Sequence, residues 1–249
     1  MKNFFIWAHR GASAKAPENT MAAFRLALEQ GADGLELDVH LTRDGVPVVI
    51  HDATVDRTSN GAGAVSAMTW QEISLLDAGS WFDKGFFGEP IPPLVEVFQW
   101  NAGRLKVNVE IKESAAADAV VEVWRRFPGT PLVVSSFDQS LLEELSRKEP
   151  GPPVGFLCDN RDWLPVAEKA AACRAWSFHP AQEMVDALLV KTCHSLGLAV
   201  FPWTVDGPRR LETLWNIQVD GVFCNDPGSV RAFMDRFSTE DIADAKDIH

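Results

Sequence analysis

Short apolar runs recur along this chain with helix-period segments between them, and that alternation restricts it to folds built from strand–helix units. Phe4–Ala8 reads as a first strand. Further strands are expected at Leu35–Leu41, Val46–Ile50, Leu105–Ile111, Leu132–Ser135, Val154–Leu157, Ala175–Phe178, Leu198–Trp203 and Gly221–Cys224. A helix is predicted over Pro17–Gln30. Pro17 suits its opening turn, Glu18 the N-terminal dipole, and Gly31 its end, with Met21, Phe24 and Leu28 on one face. Helical patterns at Ala115–Arg126, Leu141–Lys148, Leu164–Ala171, Glu183–His194, Pro208–Asn216 and Ser229–Arg236 separate most of the other strands. Taking 35–41 and 46–50 as one strand position leaves about eight units, the number a (β/α)8 barrel needs.

One stretch breaks the rhythm. Residues 52–92 are rich in Gly, Ser, Trp and Asp and carry a capping box, Thr69-x-x-Glu72. The stretch reads as a small inserted subdomain on one βα loop. A single domain over 1–237 is expected, with an acidic tail at 238–249.

Strand alternation locates the chemistry. Along Leu35–Leu41, Glu36, Asp38 and His40 share one face; Asn108, Glu110 and Lys112 do the same along the strand that ends at Ile111. A lone strand of this kind is as often an edge strand with one wet face. In strand–helix units the apolar face packs outward under helices, so these acids point into the barrel. Carboxylates crowded there repel one another unless a cation joins them, and oxygen ligands suit Mg²⁺ or Ca²⁺. His9 and His51 each follow an apolar run, where barrels keep catalytic groups, and beside the acids they suggest acid–base catalysis. Arg10 and Lys112 are candidate anion clamps, Trp203 a candidate pocket wall, and His179 a candidate for the rim.

The global balance removes other classes. Net charge is −12, with no basic run, which excludes a nucleic-acid role. No apolar stretch is long enough for a bilayer, and Met1–Ala8 is too short for a signal peptide. Cys158, Cys173, Cys193 and Cys224 form no CxxC pair and read as reduced core thiols of a cytoplasmic protein.

At this point the residues resemble a known family. His9-Arg10-Gly11 and Pro17-Glu18-Asn19-Thr20 are similar to the opening of the glycerophosphodiester phosphodiesterases. Gly31-Ala32-Asp33, Glu36-x-Asp38, Thr42-x-Asp44-Gly45 and His51-Asp52 continue the likeness in order. Glu110-x-Lys112, Ser136-Phe137, Trp203-Thr204, Asp220-Gly221 and Asp226-Pro227 carry it to the far end. The segment from Asp77 to Pro90 is similar to the bacterial cytosolic branch. Ala12, Asp206 and Asn225 depart from the pattern, none at a catalytic position.

The resemblance implies a TIM barrel that hydrolyses glycerophosphodiesters to sn-glycerol 3-phosphate and an alcohol, in glycerol and lipid metabolism. It implies metal ligands Glu36, Asp38 and Glu110 for Mg²⁺ or Ca²⁺, catalytic His9 and His51, and phosphate contacts from Arg10 and Lys112. Which histidine is acid and which base stays open, as does a cyclic phosphate intermediate. The expected partner is a small-molecule substrate, with no nucleic acid and no stable membrane anchor; a homo-oligomer is an open alternative. Two rival readings remain: a lysophospholipase D-like activity, and a non-catalytic glycerol-phosphate binding barrel, against which the intact acid–base residues count.

Overall fold

The computed structural model describes residues 4–244. Among these residues nine strands form one sheet: β1 (Phe5–His9), β2 (Gly34–Leu41), β3 (Pro47–Val49), β4 (Lys106–Ile111), β5 (Leu132–Ser136), β6 (Val154–Cys158), β7 (Ser177–Pro180), β8 (Ala199–Val200) and β9 (Gly221–Cys224). Among the described residues, nine α-helices lie between or after them: α1 (Met21–Glu29), α2 (Trp70–Ile73), α3 (Leu94–Asn101), α4 (Ala117–Arg125), α5 (Gln139–Ser146), α6 (Leu164–Ala172), α7 (Ala187–Ser195), α8 (Pro208–Asn216) and α9 (Pro227–Asp244). The strand order is β8-β7-β6-β5-β4-β2-β1-β9, with β3 paired only to β2. Hydrogen bonds from Asp220 N to Val200 O and from Phe223 N to Pro202 O, 3.0 and 2.9 Å, bring β9 against the β8 segment. The result is the expected TIM (β/α)8 barrel.

The outer strand faces and the helices bury the main core, among them Leu35, Leu37, Val107, Val109 and Phe156. A second cluster plugs the barrel from below. Trp7 stacks on Phe223 at 5.5 Å and meets Phe201 edge-on at 6.1 Å. Gly34 is obligatory beneath it, since a Cβ there would lie 2.5 Å from the Trp7 ring. The plug fills one end of the barrel and leaves polar side chains at the other, the C-terminal ends of the strands.

Several boundaries differ from the sequence reading. Helix α1 begins at Met21, not Pro17. Thr20 is its N-cap, and 17–20 form a turn in which Asn19 adopts φ 58. Strand β8 ends at Val200, although Phe201 N and Trp203 N still bond Phe178 O and Pro180 O on β7, and Trp203 bridges to Ala181. Helix α3 was not expected at all: it follows directly on the irregular 52–92 stretch, which masks its period. That stretch holds a small core of its own, with Val55, Val65, Ile73 and Ala78 against Val48 and Ile50. The Thr69–Glu72 capping box of α2 is formed on both sides. The tail assigned to 238–249 overlaps α9, and residues 245–249 lie outside the described ones.

Candidate active site

Parallel register sets the acids side by side. Glu36 pairs with Asn108 and Asp38 with Glu110 across β2 and β4, so three carboxylates converge at the barrel mouth. One oxygen from each of Glu36, Asp38 and Glu110 lies within 4.8 Å of the others. Lys112 Nζ donates to Glu110 Oε1 at 2.5 Å and pairs with Asp38 Oδ1 at 2.9 Å. Arg10 donates its backbone N–H to Glu36 Oε2 at 2.8 Å and sets Nε 3.3 Å from Asp38 Oδ2. It does so from φ 57, a strained conformation for a non-glycine residue. Asn19 Nδ2 donates to Asp38 Oδ2 at 2.8 Å.

These contacts split the acids electrostatically. Burial disfavours the charged form of Asp38, yet Lys112 and Arg10 bring its pKa down to about 2. Burial, then the charges of Asp38 and Glu110, push Glu36 well above the usual carboxylate range, and burial with Asp38 raises Glu110. Two carboxyls that resist ionising beside a third that is charged call for more positive charge. An all-oxygen triad of this kind fits a hard divalent cation.

The two histidines reach the mouth by different routes. His9 ends the barrel strand β1, as expected. His51 follows β3, which is antiparallel to β2 and no stave of the barrel. The hairpin turns at 42–46 and runs back, with Ile50 N bonded to Asp38 O at 3.0 Å, and so returns His51 to the acids. His40, on the acids' side of β2, holds the His51 carbonyl from Nε2 at 3.1 Å.

Each imidazole is anchored through Nδ1. His9 Nδ1 lies 2.8 Å from Asn225 Oδ1. The Asn225 amide is oriented by Asp206, whose Oδ2 accepts from Asn225 Nδ2 at 2.6 Å, so Oδ1 faces His9 and Nδ1 must donate. His51 Nδ1 donates to Asp52 Oδ1 at 2.7 Å. Both rings therefore keep the Nε2 lone pair for chemistry. Burial, reinforced by Arg10, lowers His9 to about 4. Burial lowers His51 as well, against the pull of Asp38 and Asp52. Asp206 and Asn225 carry no signal of this role in the sequence, since Asn225 lies 216 residues from His9 and only the fold joins them.

A cavity at the barrel mouth gathers these groups: His9, Arg10, Glu36, His51, Glu110 and Lys112 line it. Trp203 lines it too, its Nε1 donating to His179 O at 2.8 Å and its ring edge-on to Phe137 at 5.8 Å. His179, expected at the rim, is fully buried deeper in the same cavity. Among the described residues no helix is long and apolar enough to cross a membrane.

The chain is similar to proteins of one family. The model of the glycerophosphoryl diester phosphodiesterase family matches residues 9–229. A glycerophosphodiester phosphodiesterase of Caldanaerobacter subterraneus subsp. tengcongensis is 40% identical over 234 residues, 91% of this chain and 96% of that one. A phosphodiesterase of Oleispira antarctica, solved with the product sn-glycerol-3-phosphate, superposes with TM-score 0.86 at 30% identity, covering 93% and 96% of the two chains. A glycerophosphodiester phosphodiesterase structure from Agrobacterium tumefaciens has TM-score 0.78 at 32% identity, covering 92% and 99%.

Proposed function

The chain belongs to the glycerophosphoryl diester phosphodiesterase family, and on that premise we propose that it hydrolyses small glycerophosphodiesters, such as glycerophosphocholine or glycerophosphoethanolamine, to sn-glycerol 3-phosphate and the free alcohol. One observation carries this reading: Glu36, Glu110, Arg10, Lys112, His9 and His51 line a single cavity, and Asp38 completes the acid triad beside it. Glu36, Asp38 and Glu110 would hold a divalent cation, Mg²⁺ or Ca²⁺, which supplies charge neutralisation at the phosphate and a lowered pKa for the attacking oxygen.

The remaining roles fall to this chain's own groups. Arg10 and Lys112 grip non-bridging phosphate oxygens and hold the phosphorus between the two imidazoles. His9, anchored by a neutral amide and held unprotonated, takes the proton of the attacking hydroxyl on Nε2. His51, backed by the Asp52 carboxylate, is the better site for a proton and gives it to the departing alcohol. Trp203 walls the cavity against water. The four free cysteines, three of them buried, suit a reducing cytoplasm.

Turnover of glycerophosphocholine, with and without EDTA and with Mg²⁺ or Ca²⁺ restored, tests the reading. Activity that needs the metal supports it; no turnover of any glycerophosphodiester by the metal-loaded protein overturns it. Lysophosphatidylcholine as a second substrate tests the lipid alternative in the same assay.

A further inference from the structure

Asp38 and His40 lie two residues apart on β2 and share one face of the strand. Asp38 belongs to the acid triad. His40 does not line the cavity, yet it is buried, with 7% exposure. A buried polar ring is kept for the bonds it makes, and those of His40 lead to His51.

The hairpin of β2 and β3 reaches as far as Ile50, whose N–H bonds Asp38 O at 3.0 Å. One residue further on, the His51 carbonyl is bonded to a side chain instead, His40 Nε2 at 3.1 Å. A carbonyl only accepts, so Nε2 donates. The other edge of the ring faces Glu113, whose Oε1 lies 3.5 Å from His40 Nδ1. The same oxygen accepts the Leu41 N–H at 3.0 Å and ties β2 to the end of β4, next to Lys112. Glu113 and the strand fix where the ring points, and the ring fixes the His51 backbone.

His51 needs such a hold because it leaves the hairpin where the 52–92 insertion begins. Asp52 holds its imidazole at Nδ1 but is its neighbour in the chain, so that bond turns the ring without tying the His51 backbone to the barrel. The His40 bond makes that tie, and to the strand that carries Glu36 and Asp38. We propose that His40 is a positioning residue for the general acid of the mechanism above: its bond to the His51 carbonyl sets the reach of that imidazole to the leaving oxygen. This rests on the phosphodiesterase reading. His40 touches neither the phosphate nor the leaving group in this scheme and acts through His51 alone.

Three substitutions separate a brace from a space-filling side chain. His40→Leu fills the volume without a donor. His40→Gln keeps an N–H at nearly the same reach, and His40→Asn keeps the same amide one methylene short. On glycerophosphocholine, kcat of the metal-loaded protein should fall about tenfold or more in His40→Leu and His40→Asn, with KM little changed, and His40→Gln should recover most of it. On the nitrophenyl phosphodiester of glycerol, whose leaving group needs little acid, the same variants should lose less than about threefold. The rise in melting temperature on adding Mg²⁺ should match that of the wild type in all three. Equal losses on both substrates, His40→Gln no better than His40→Asn, or a smaller metal response would overturn the brace, since each would trace the effect to packing or to Asp38. If His40→Leu does not fold, the comparison of His40→Gln with His40→Asn decides. If the metal-loaded wild type turns over neither substrate, the phosphodiesterase reading fails, and the brace is judged by the imidazole nitrogen resonances of the labelled protein. His40→Asn should then shift or broaden the His51 signals and leave those of His9 in place; unchanged His51 signals refute it.

Discussion

Arg57 grips Glu18 with both terminal nitrogens, at 2.9 and 2.8 Å, while its Nε reaches Asp52 at 2.7 Å. Glu18 in turn holds Arg10 at 2.9 Å, and Asp52 holds His51 at 2.7 Å. One guanidinium from the inserted stretch thus steadies both the phosphate clamp and the general acid of the proposed mechanism. Arg57 is partly exposed, so its ion pairs add little to stability. Arg57→Met should therefore lower kcat on the order of tenfold or more, with a melting temperature close to wild type. Arg57→Lys, a point charge without the fork, should fall between the two. Steady-state kinetics beside thermal melts check this; unchanged kcat in Arg57→Met would show that the network is only structural.

The acid triad makes a stability prediction independent of turnover. Without metal, Glu36 is held against burial and against two like charges. Its folded pKa is raised, so its ionisation weakens the metal-free fold at neutral pH. Glu36→Gln should raise the melting temperature of the EDTA-treated protein. It should also abolish the rise that Mg²⁺ or Ca²⁺ gives the wild type, which at a hundredfold excess over Kd amounts to about 2.7 kcal/mol. A metal-induced shift that survives in Glu36→Gln would remove Glu36 from the ligand set.

Much of this site was legible before the fold. Period-two alternation around Glu36 and Glu110 pointed the acids inward once helices were assigned to the outer faces. His9 and His51 were picked out as residues that end apolar runs. His51 lines the cavity with the acids but does not end a barrel strand, because β3 turns back on β2. What could not be read is pairing between distant segments. Arg57 meets Glu18 across 39 residues and Asn225 meets His9 across 216, and neither leaves a periodic trace. Glu18 looked like a helix-dipole residue and is instead the partner of two arginines.

The different anchors of the two histidines should show in the pH–rate profile. The acid limb should report His9 losing its proton and the alkaline limb His51 losing its own. Asp52→Asn removes the negative charge behind His51, so the alkaline limb should move to lower pH and leave the acid limb in place. Asn225→Asp puts a carboxylate beside His9 and should move the acid limb to higher pH. A nitrophenol leaving group needs little help from the acid, so His51→Ala should lose much less rate on it than on glycerophosphocholine, while His9→Ala should lose on the order of 10²-fold on both. The opposite pattern would exchange the two roles.

Acid sensitivity of the fold should trace to the buried imidazoles. His179 is lowered to about 3 and His9 to about 4, each chiefly by burial. Above about pH 6.5 both are neutral folded and unfolded, and neither affects stability. Below that, the unfolded chain binds protons that the folded one refuses, so each histidine costs about 1.4 kcal/mol per pH unit. The loss is complete for His9 below about pH 4 and for His179 below about pH 3. Glu36 and Glu110 work in the opposite direction in the metal-free protein, since their raised carboxyls gain protons more readily when folded. The informative quantity is therefore the difference between wild type and His179→Phe, in which the carboxyl contribution cancels. Urea midpoints measured from pH 7 to pH 4 should fall more steeply in the wild type, the two curves diverging only below about pH 6.5. Parallel curves would mean that His179 is protonated in the folded protein, through an acid partner that its surroundings in the barrel do not provide.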